Sequence, residues 1–140
     1  MNSNKHISLM LDQGYTNILL NKKMDSSLSP HGISFTEFTI MHKLHTSSGG
    51  VLSRIALADS IGLTASGVTR LLAPMEKNHI VQKLANPRDA RQSMVALTDA
   101  GQELYTDSLV SFEHSCNSAF ALLEESEIDQ LLILLNKIKY

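Results

Sequence analysis

The chain has 140 residues, 43% of them hydrophobic, which is enough apolar material for one domain with its own core. A single cysteine, Cys116, excludes an internal disulfide framework, and the longest apolar run, Leu131 to Leu135, is far shorter than the roughly 20 residues of a membrane span, so a cytoplasmic protein without leader or membrane helix is expected. The formal charge of −2 is unevenly divided: six Lys and Arg face three Asp and Glu from Ser53 to Arg91 (+3), two face eight from Gln92 onward (−6), and four face three before Ser53 (+1).

Ile7, Met10, Leu11, Tyr15, Ile18 and Leu19 recur at three- and four-residue intervals, so the chain opens on an amphipathic helix. Ser26 to Gly32, with Pro30 and Gly32, reads as a loop. Ser34 and Glu37 form a capping box that starts a helix burying Phe38, Met41 and Leu44 and ending at Thr46-Ser47-Ser48-Gly49-Gly50. Leu52 to Ser60 reads as the next helix, closed at Gly62, where glycine tolerates the left-handed backbone of a sharp helix–helix turn. Thr64 is the expected N-cap of a helix running to about Asn78. Ile80 to Leu84 and Ser93 to Leu97 are short β-prone runs, joined through a turn at Asn86-Pro87. Thr98 caps a long helix with the stripe Tyr105, Leu109, Phe112, Cys116, Phe120 and Leu123. Ser126 and Asp129 resemble a second capping box, before a last helix from Ile128 to Ile138 that is apolar on most faces and wants a partner on more than one side.

Helix, tight turn, helix and two strands around a charged tip make a winged helix-turn-helix, a layout that sets one helix in the DNA major groove with a basic loop beside it. In the Thr64 helix, Val68, Leu71, Leu72 and Met75 share one face, expected to pack on Ala58, Ile61 and Leu63. Ser66, Thr69, Arg70, Ala73 and Lys77 share the other. Small residues at Ala65, Ser66 and Gly67 keep the first turn slim enough for a groove about 12 Å wide, and Arg70 carries the fork that grips guanine or phosphate. Gly67 costs roughly 1 kcal/mol against alanine within a helix and gains nothing on a purely solvated face. At the wing tip, Arg88 and Arg91 can reach a minor groove, while Asp89 is expected to orient an arginine. A basic middle beside an acidic tail fits phosphate binding on one surface, although acidic helices can also be merely solvated.

These segments resemble the MarR family (multiple-antibiotic-resistance regulators) of bacterial transcription factors. The resemblance rests on Leu57-Ala58-Asp59-Ser60-Ile61-Gly62-Leu63-Thr64, Val68-Thr69-Arg70-Leu71-Leu72, Met75-Glu76-Lys77, the wing Asn86-Pro87-Arg88-Asp89-Ala90-Arg91, and Val95-Ala96-Leu97-Thr98-Asp99-Ala100-Gly101. It implies a mainly α fold with a small two-stranded β wing. Residues 34–98 would form the DNA-binding part, and residues 1–33 and 99–140 the dimerisation helices. It further implies a homodimer on a pseudo-palindromic operator of double-stranded DNA, usually as repressor, often released by a small aromatic acid. Ser66, Thr69 and Arg70 would read the major groove, Arg88 and Arg91 would serve the wing, and Arg54 would contact phosphate; Thr64 and Lys77 complete the expected DNA-binding set. A ligand cleft is expected near Tyr15, His42 and Phe112, between the Ser34 and Thr98 helices. The chain departs from the family at Pro74, which removes a helical hydrogen bond to the carbonyl of Arg70 and usually kinks a helix. It departs again at Lys77-Asn78-His79, where the family has Lys-x-Gly, so Asn78 or His79 must take the left-handed turn. Asn86 stands where the wing commonly has aspartate.

Other chemistries find little support. His42 and His45 are three apart, but a tetrahedral zinc site needs more ligands, and no metal or cofactor is expected. Cys116 on an apolar stripe reads as an inert thiol. No phosphate-cradling glycine loop, nucleophile elbow or zinc-protease signature points to an enzyme. The rival to DNA binding is a winged helix used to bind protein, which the net charge of −2 leaves open.

Overall fold

The computed structural model describes residues 2–139. Helix α1 (Asn2–Leu28) is followed by a 3-10 turn and α2 (Phe35–Thr46); strand β1 (Val51–Ser53) then leads into α3 (Arg54–Ile61) and α4 (Ala65–Lys77). Strands β2 (Val81–Ala85) and β3 (Ser93–Leu97) precede α5 (Asp99–Ala119) and α6 (Glu125–Lys139). The architecture is the expected mainly α winged helix-turn-helix. Its sheet, however, has three antiparallel strands in the order β1-β3-β2.

The third strand corrects the reading of Leu52 as helical. Gly49 and Gly50, at φ 70° and 73°, swing the chain out of α2. Val51, Leu52 and Ser53 then lie opposite Ala96, Val95 and Met94 of β3. Three residues are too few to show a period of two, so nothing in the sequence marks them as a strand. The helix begins one residue past Ser53, whose hydroxyl accepts from the amide of Ala56 at 3.1 Å.

Other boundaries also move. The first half of the expected Ser26–Gly32 loop continues α1, and only Ser29–His31 forms the turn, with Pro30 at its start and Gly32 left-handed at φ 75°. The Ser34–Glu37 capping box is present with both bonds. At α6 the cap falls two residues earlier than Ser126: the amide of Glu124 donates to Oε1 of Glu127 at 2.9 Å, leaving Ser126 and Asp129 inside the helix. Phe120 caps α5 rather than extending its stripe, and Leu123 lies beyond the helix.

The core is continuous across the helix-turn-helix and the sheet. Phe38, Ile40, Met41 and Leu44 of α2 meet Leu57, Val68, Leu72 and Met75 of the two-helix unit, Val81 and Val95 of the sheet, and Tyr105 of α5. Against this, the long stripes of α1 and α6 stay in solvent: Met10 is 70% exposed and Leu132 57%, with Ile7, Leu11, Ile18, Ile133 and Ile138 similarly bare.

One joint ties the end of α4 to α5. The Thr98 hydroxyl caps α5 by accepting from the amide of Gly101 at 2.9 Å, and it donates to the carbonyl of His79. The Thr98 amide donates to the carbonyl of Ile80 at 3.0 Å. Gly101 lies so close that an added Cβ would overlap the Ile80 oxygen, far inside van der Waals contact, and stand 2.9 Å from its carbonyl carbon. Backbone cannot yield as a side chain tip does, so Gly101→Ala is expected to cost about 1–3 kcal/mol. A urea melt checks it; an unchanged midpoint would show that the two segments are not in close contact.

Candidate nucleic-acid interface

The reading unit is set by its turn. Gly62 takes φ 71°, its amide and that of Leu63 both bond back to the carbonyl of Ala58, and α4 leaves α3 at 105°, within the range of helix-turn-helix units. Val68, Leu72 and Met75 are buried with Leu71 half-buried, while Ser66, Thr69, Arg70, Ala73 and Lys77 are all exposed. The two faces therefore divide as the spacing predicts. Leu63 differs: at 39% exposure it is outside the core it was expected to join, because it sits in the turn itself.

The start of α4 is built for a narrow approach. Thr64 caps it, its oxygen accepting from the amide of Gly67 at 3.1 Å. A Cβ on Gly67 would sit 3.2 Å from that same Thr64 oxygen. The missing side chain thus serves the cap, a local reason for glycine that does not depend on a groove. Thr69 turns its hydroxyl proton to the carbonyl of Ala65 at 3.0 Å, which leaves its lone pairs and methyl to face outward. Among the described residues Arg70, Lys77 and Arg88 are in no ion pair, so three cations are available to an outside anion.

Helix α4 runs unbroken through Pro74. Pro74 is exposed and faces solvent, so the lost bond frees a carbonyl, that of Arg70, on the surface where water satisfies it. The helix then ends in a Schellman motif: the amide of Ile80 donates to Met75 at 2.9 Å and that of His79 to Glu76 at 3.0 Å. Of the two candidates for the left-handed residue, His79 takes it, at φ 60°.

The wing tip is held by its own side chains. Asn86 accepts from the amide of Arg88 at 3.0 Å, and Asp89 accepts from the amide of Arg91 at 3.0 Å and from its Nε at 3.4 Å. Asp89 thus orients Arg91, while the Arg88 side chain is in no ion pair among the described residues. Arg54, at the first position of α3, faces the foot of the wing and lines an open cleft with Ser53, Ile55, Arg91, Gln92 and Ser93. Gln92 and Ser93 were not anticipated, because only the β1–β3 pairing brings them beside Ser53 and Arg54.

The residues expected to line a ligand cleft separate. Phe112 stacks on Phe38 at 4.4 Å between ring centres, and Phe38 in turn faces His42 and Tyr105 at 6.3 and 5.5 Å. His42 Nδ1 is 2.8 Å from the Tyr105 hydroxyl and His45 Nδ1 3.0 Å from Gln102 Oε1, so both histidines are engaged with α5. Partial shielding, then Lys43 and His45, hold the His42 pKa below its ordinary value; shielding, then Glu113, raises that of Tyr105. Tyr15 lies elsewhere, lining a hollow on α1 with Ser8, Leu9, Leu11 and Asp12. The Cys116 thiol is half-buried, and its pKa is raised by shielding and by Glu113, which disfavours the reactive thiolate.

The sequence profile of the MarR family matches residues 33–93, the segment holding α3, α4, β2 and the wing tip. YkoM, an uncharacterized HTH-type transcriptional regulator of Bacillus subtilis (strain 168), is 32% identical over 109 residues, spanning 76% of this chain and 68% of the relative. The chain belongs to the MarR family. Two solved structures share the fold of this MarR-family transcriptional regulator. Sco3205 from Streptomyces coelicolor, in complex with DNA, has a TM-score of 0.90 at 22% identity, over 97% of this chain and 86% of that one. A mutant MarR from E. coli complexed with operator DNA has a TM-score of 0.88 at 21% identity, over 96% of each chain.

A non-glycine residue in the left-handed region costs about 1 kcal/mol. His79→Gly is therefore expected to raise stability by up to ~1 kcal/mol. Calorimetric melting tests it, and a lower melting temperature would mean that the His79 ring has a stabilising contact outweighing the backbone strain.

Proposed function

We propose that this transcriptional regulator is a homodimeric repressor of the cytoplasm that binds a pseudo-palindromic operator in double-stranded DNA. The observation carrying the reading is the outward face of α4, where Ser66, Thr69, Arg70 and Lys77 stand exposed beside a wing bearing Arg88 and Arg91. Base contacts from α4 would give sequence preference and the cations phosphate affinity. DNA bound to Sco3205 and to E. coli MarR, which share this fold, supports the same partner here.

In this reading residues 34–98 are the reading part, and residues 1–33 and 99–140 pair two copies. The exposed stripes of α1 and α6 support that division, since monomers rarely leave such contiguous apolar surface in water. Two copies related by a twofold axis would present their α4 helices to successive major-groove faces. A small aromatic effector belongs to the same reading; the Phe38–His42–Tyr105–Phe112 cluster at the α2–α5 junction is packed ring on ring, so such a ligand would have to part those contacts to enter.

Selection of bound duplexes from a random DNA pool tests the function and delivers the site. Arg70→Ala is expected to relax preference at one base pair per half-site, a loss of about 1–3 kcal/mol of discrimination. Replacing Arg88 and Arg91 together by alanine is expected to weaken all duplexes and flatten the salt dependence. Salt-independent association with a protein and no duplex recovered would favour an interaction module instead.

A further inference from the structure

Helix α2 is joined to α5 by two histidines of opposite character. His45 Nδ1 lies 3.0 Å from Gln102 Oε1, a carbonyl oxygen that can only accept, so this nitrogen carries a proton. A second proton on His45 would enter at Nε2 and leave that bond intact. His42 Nδ1 lies 2.8 Å from the hydroxyl of Tyr105. Tyr105 is 3% exposed, and His42 is the one partner of its hydroxyl among the described residues. A buried phenol proton needs an acceptor, and Nδ1 is the acceptor on offer. His42 is therefore the neutral tautomer protonated at Nε2, and Tyr105 donates to it. Here a second proton would enter at Nδ1 itself, where the phenol proton now sits, and the bond would be lost.

The surroundings give an imidazolium at His42 little support. On α2 itself, Glu37 is spent on the capping box, while Lys43 and His45 oppose a further positive charge. On α1, Lys22 and Lys23 are cations and Asp25 holds the amide of Phe35. Helix α3 brings Arg54 and Asp59, and α5 brings Asp99, Glu103, Asp107 and Glu113. None of these carboxylates pairs with His42 among the described residues. Strands β1 and β3 and the turn after α2 carry no ionisable side chain. We propose that His42 is a proton-operated latch between α2 and α5, closed when neutral and opened when Nδ1 takes a proton from solvent, with loss of affinity for DNA. The consequence for DNA rests on the DNA-binding reading above. It follows from the place of Tyr105, about one helical turn after Gly101, where α5 abuts Ile80 just past α4. Freeing Tyr105 lets the start of α5 shift, and the exposed face of α4 shifts with it through the Thr98–His79 bond. Burial, then Lys43 and His45, hold the His42 pKa below its ordinary value of 6.5. The closed form is thus fully favoured above that value and lost as pH falls through the lower one.

The test reads tautomer and affinity separately. Imidazole nitrogen NMR is expected to show His42 protonated at Nε2 at neutral pH and titrating below the ordinary histidine value. Fluorescence anisotropy then follows binding to a duplex recovered by selection, between about pH 5 and 8, for the wild type, Tyr105→Phe, His42→Gln and His45→Gln. Tyr105→Phe keeps the ring and loses the hydroxyl; His42→Gln keeps an acceptor that cannot titrate. Relative to these two, the wild type is expected to lose about tenfold in affinity on acidification, the scale of a buried donor left unpaired. His45→Gln is expected to keep that loss and move its midpoint to higher pH, since a charge opposing the His42 proton is gone. Circular dichroism of each variant reports folding. A His42 protonated at Nδ1 at neutral pH overturns the latch, as does a wild-type pH profile that Tyr105→Phe and His42→Gln share. If the wild type binds no duplex at any pH, the DNA-binding reading fails by itself. The latch then needs a urea midpoint that falls on acidification in the wild type and not in His42→Gln, and is overturned without one.

Discussion

The Thr98 hydroxyl stands where three parts of the molecule meet. It caps α5, holds the carbonyl that ends the left-handed turn after α4, and lies next to the amide that bonds Ile80. A hydroxyl has one proton and two lone pairs, so one atom serves both helix ends only if they are brought within a few ångström. Gly101 makes that approach possible by having no side chain against Ile80. The reading helix therefore cannot rotate far without disturbing the start of α5. The link between α4 and the start of α5 therefore runs through backbone rather than through a mobile side chain.

Much of this was legible in the sequence because each feature carries a local chemical signature. The capping box at Ser34, the caps at Thr64 and Thr98, and the glycine turn at Gly62 all appear where composition placed them. These depend on three or four consecutive residues. Strand β1 does not: Val51-Leu52-Ser53 becomes a strand only because β3, forty residues on, offers a free edge. The cap of α6 went astray for a different reason, since Ser126, Glu124 and Glu127 offer several overlapping boxes and only packing chooses among them.

The site divides along the same line. The exposed face of α4 follows from helical spacing, and the order within the wing follows from Asn86 and Asp89 bonding two residues ahead. The juxtaposition of Arg54 and Arg91 is a tertiary fact, thirty-seven positions apart in sequence, and depends on the strand that was missed. The aromatic cluster shows the opposite failure. His42 and Phe112 do meet through Phe38, but Tyr15 shares only their chemistry and not their place.

The acidic overall balance is compatible with a polyanionic partner once distance is considered. The −6 of the segment after Arg91 is carried by α5, α6 and the turn between them. Asp99, Glu103 and Asp107 lie near the joint, but Glu113 is some fifteen residues past Thr98, about 22 Å along a helix, and the four acids from Glu124 to Asp129 come after the helix ends. At physiological salt the field of an exposed charge decays over about 8 Å. A polyanion laid against the exposed face of α4 would then meet a local excess of cations, since Arg70, Lys77 and Arg88 are in no ion pair among the described residues.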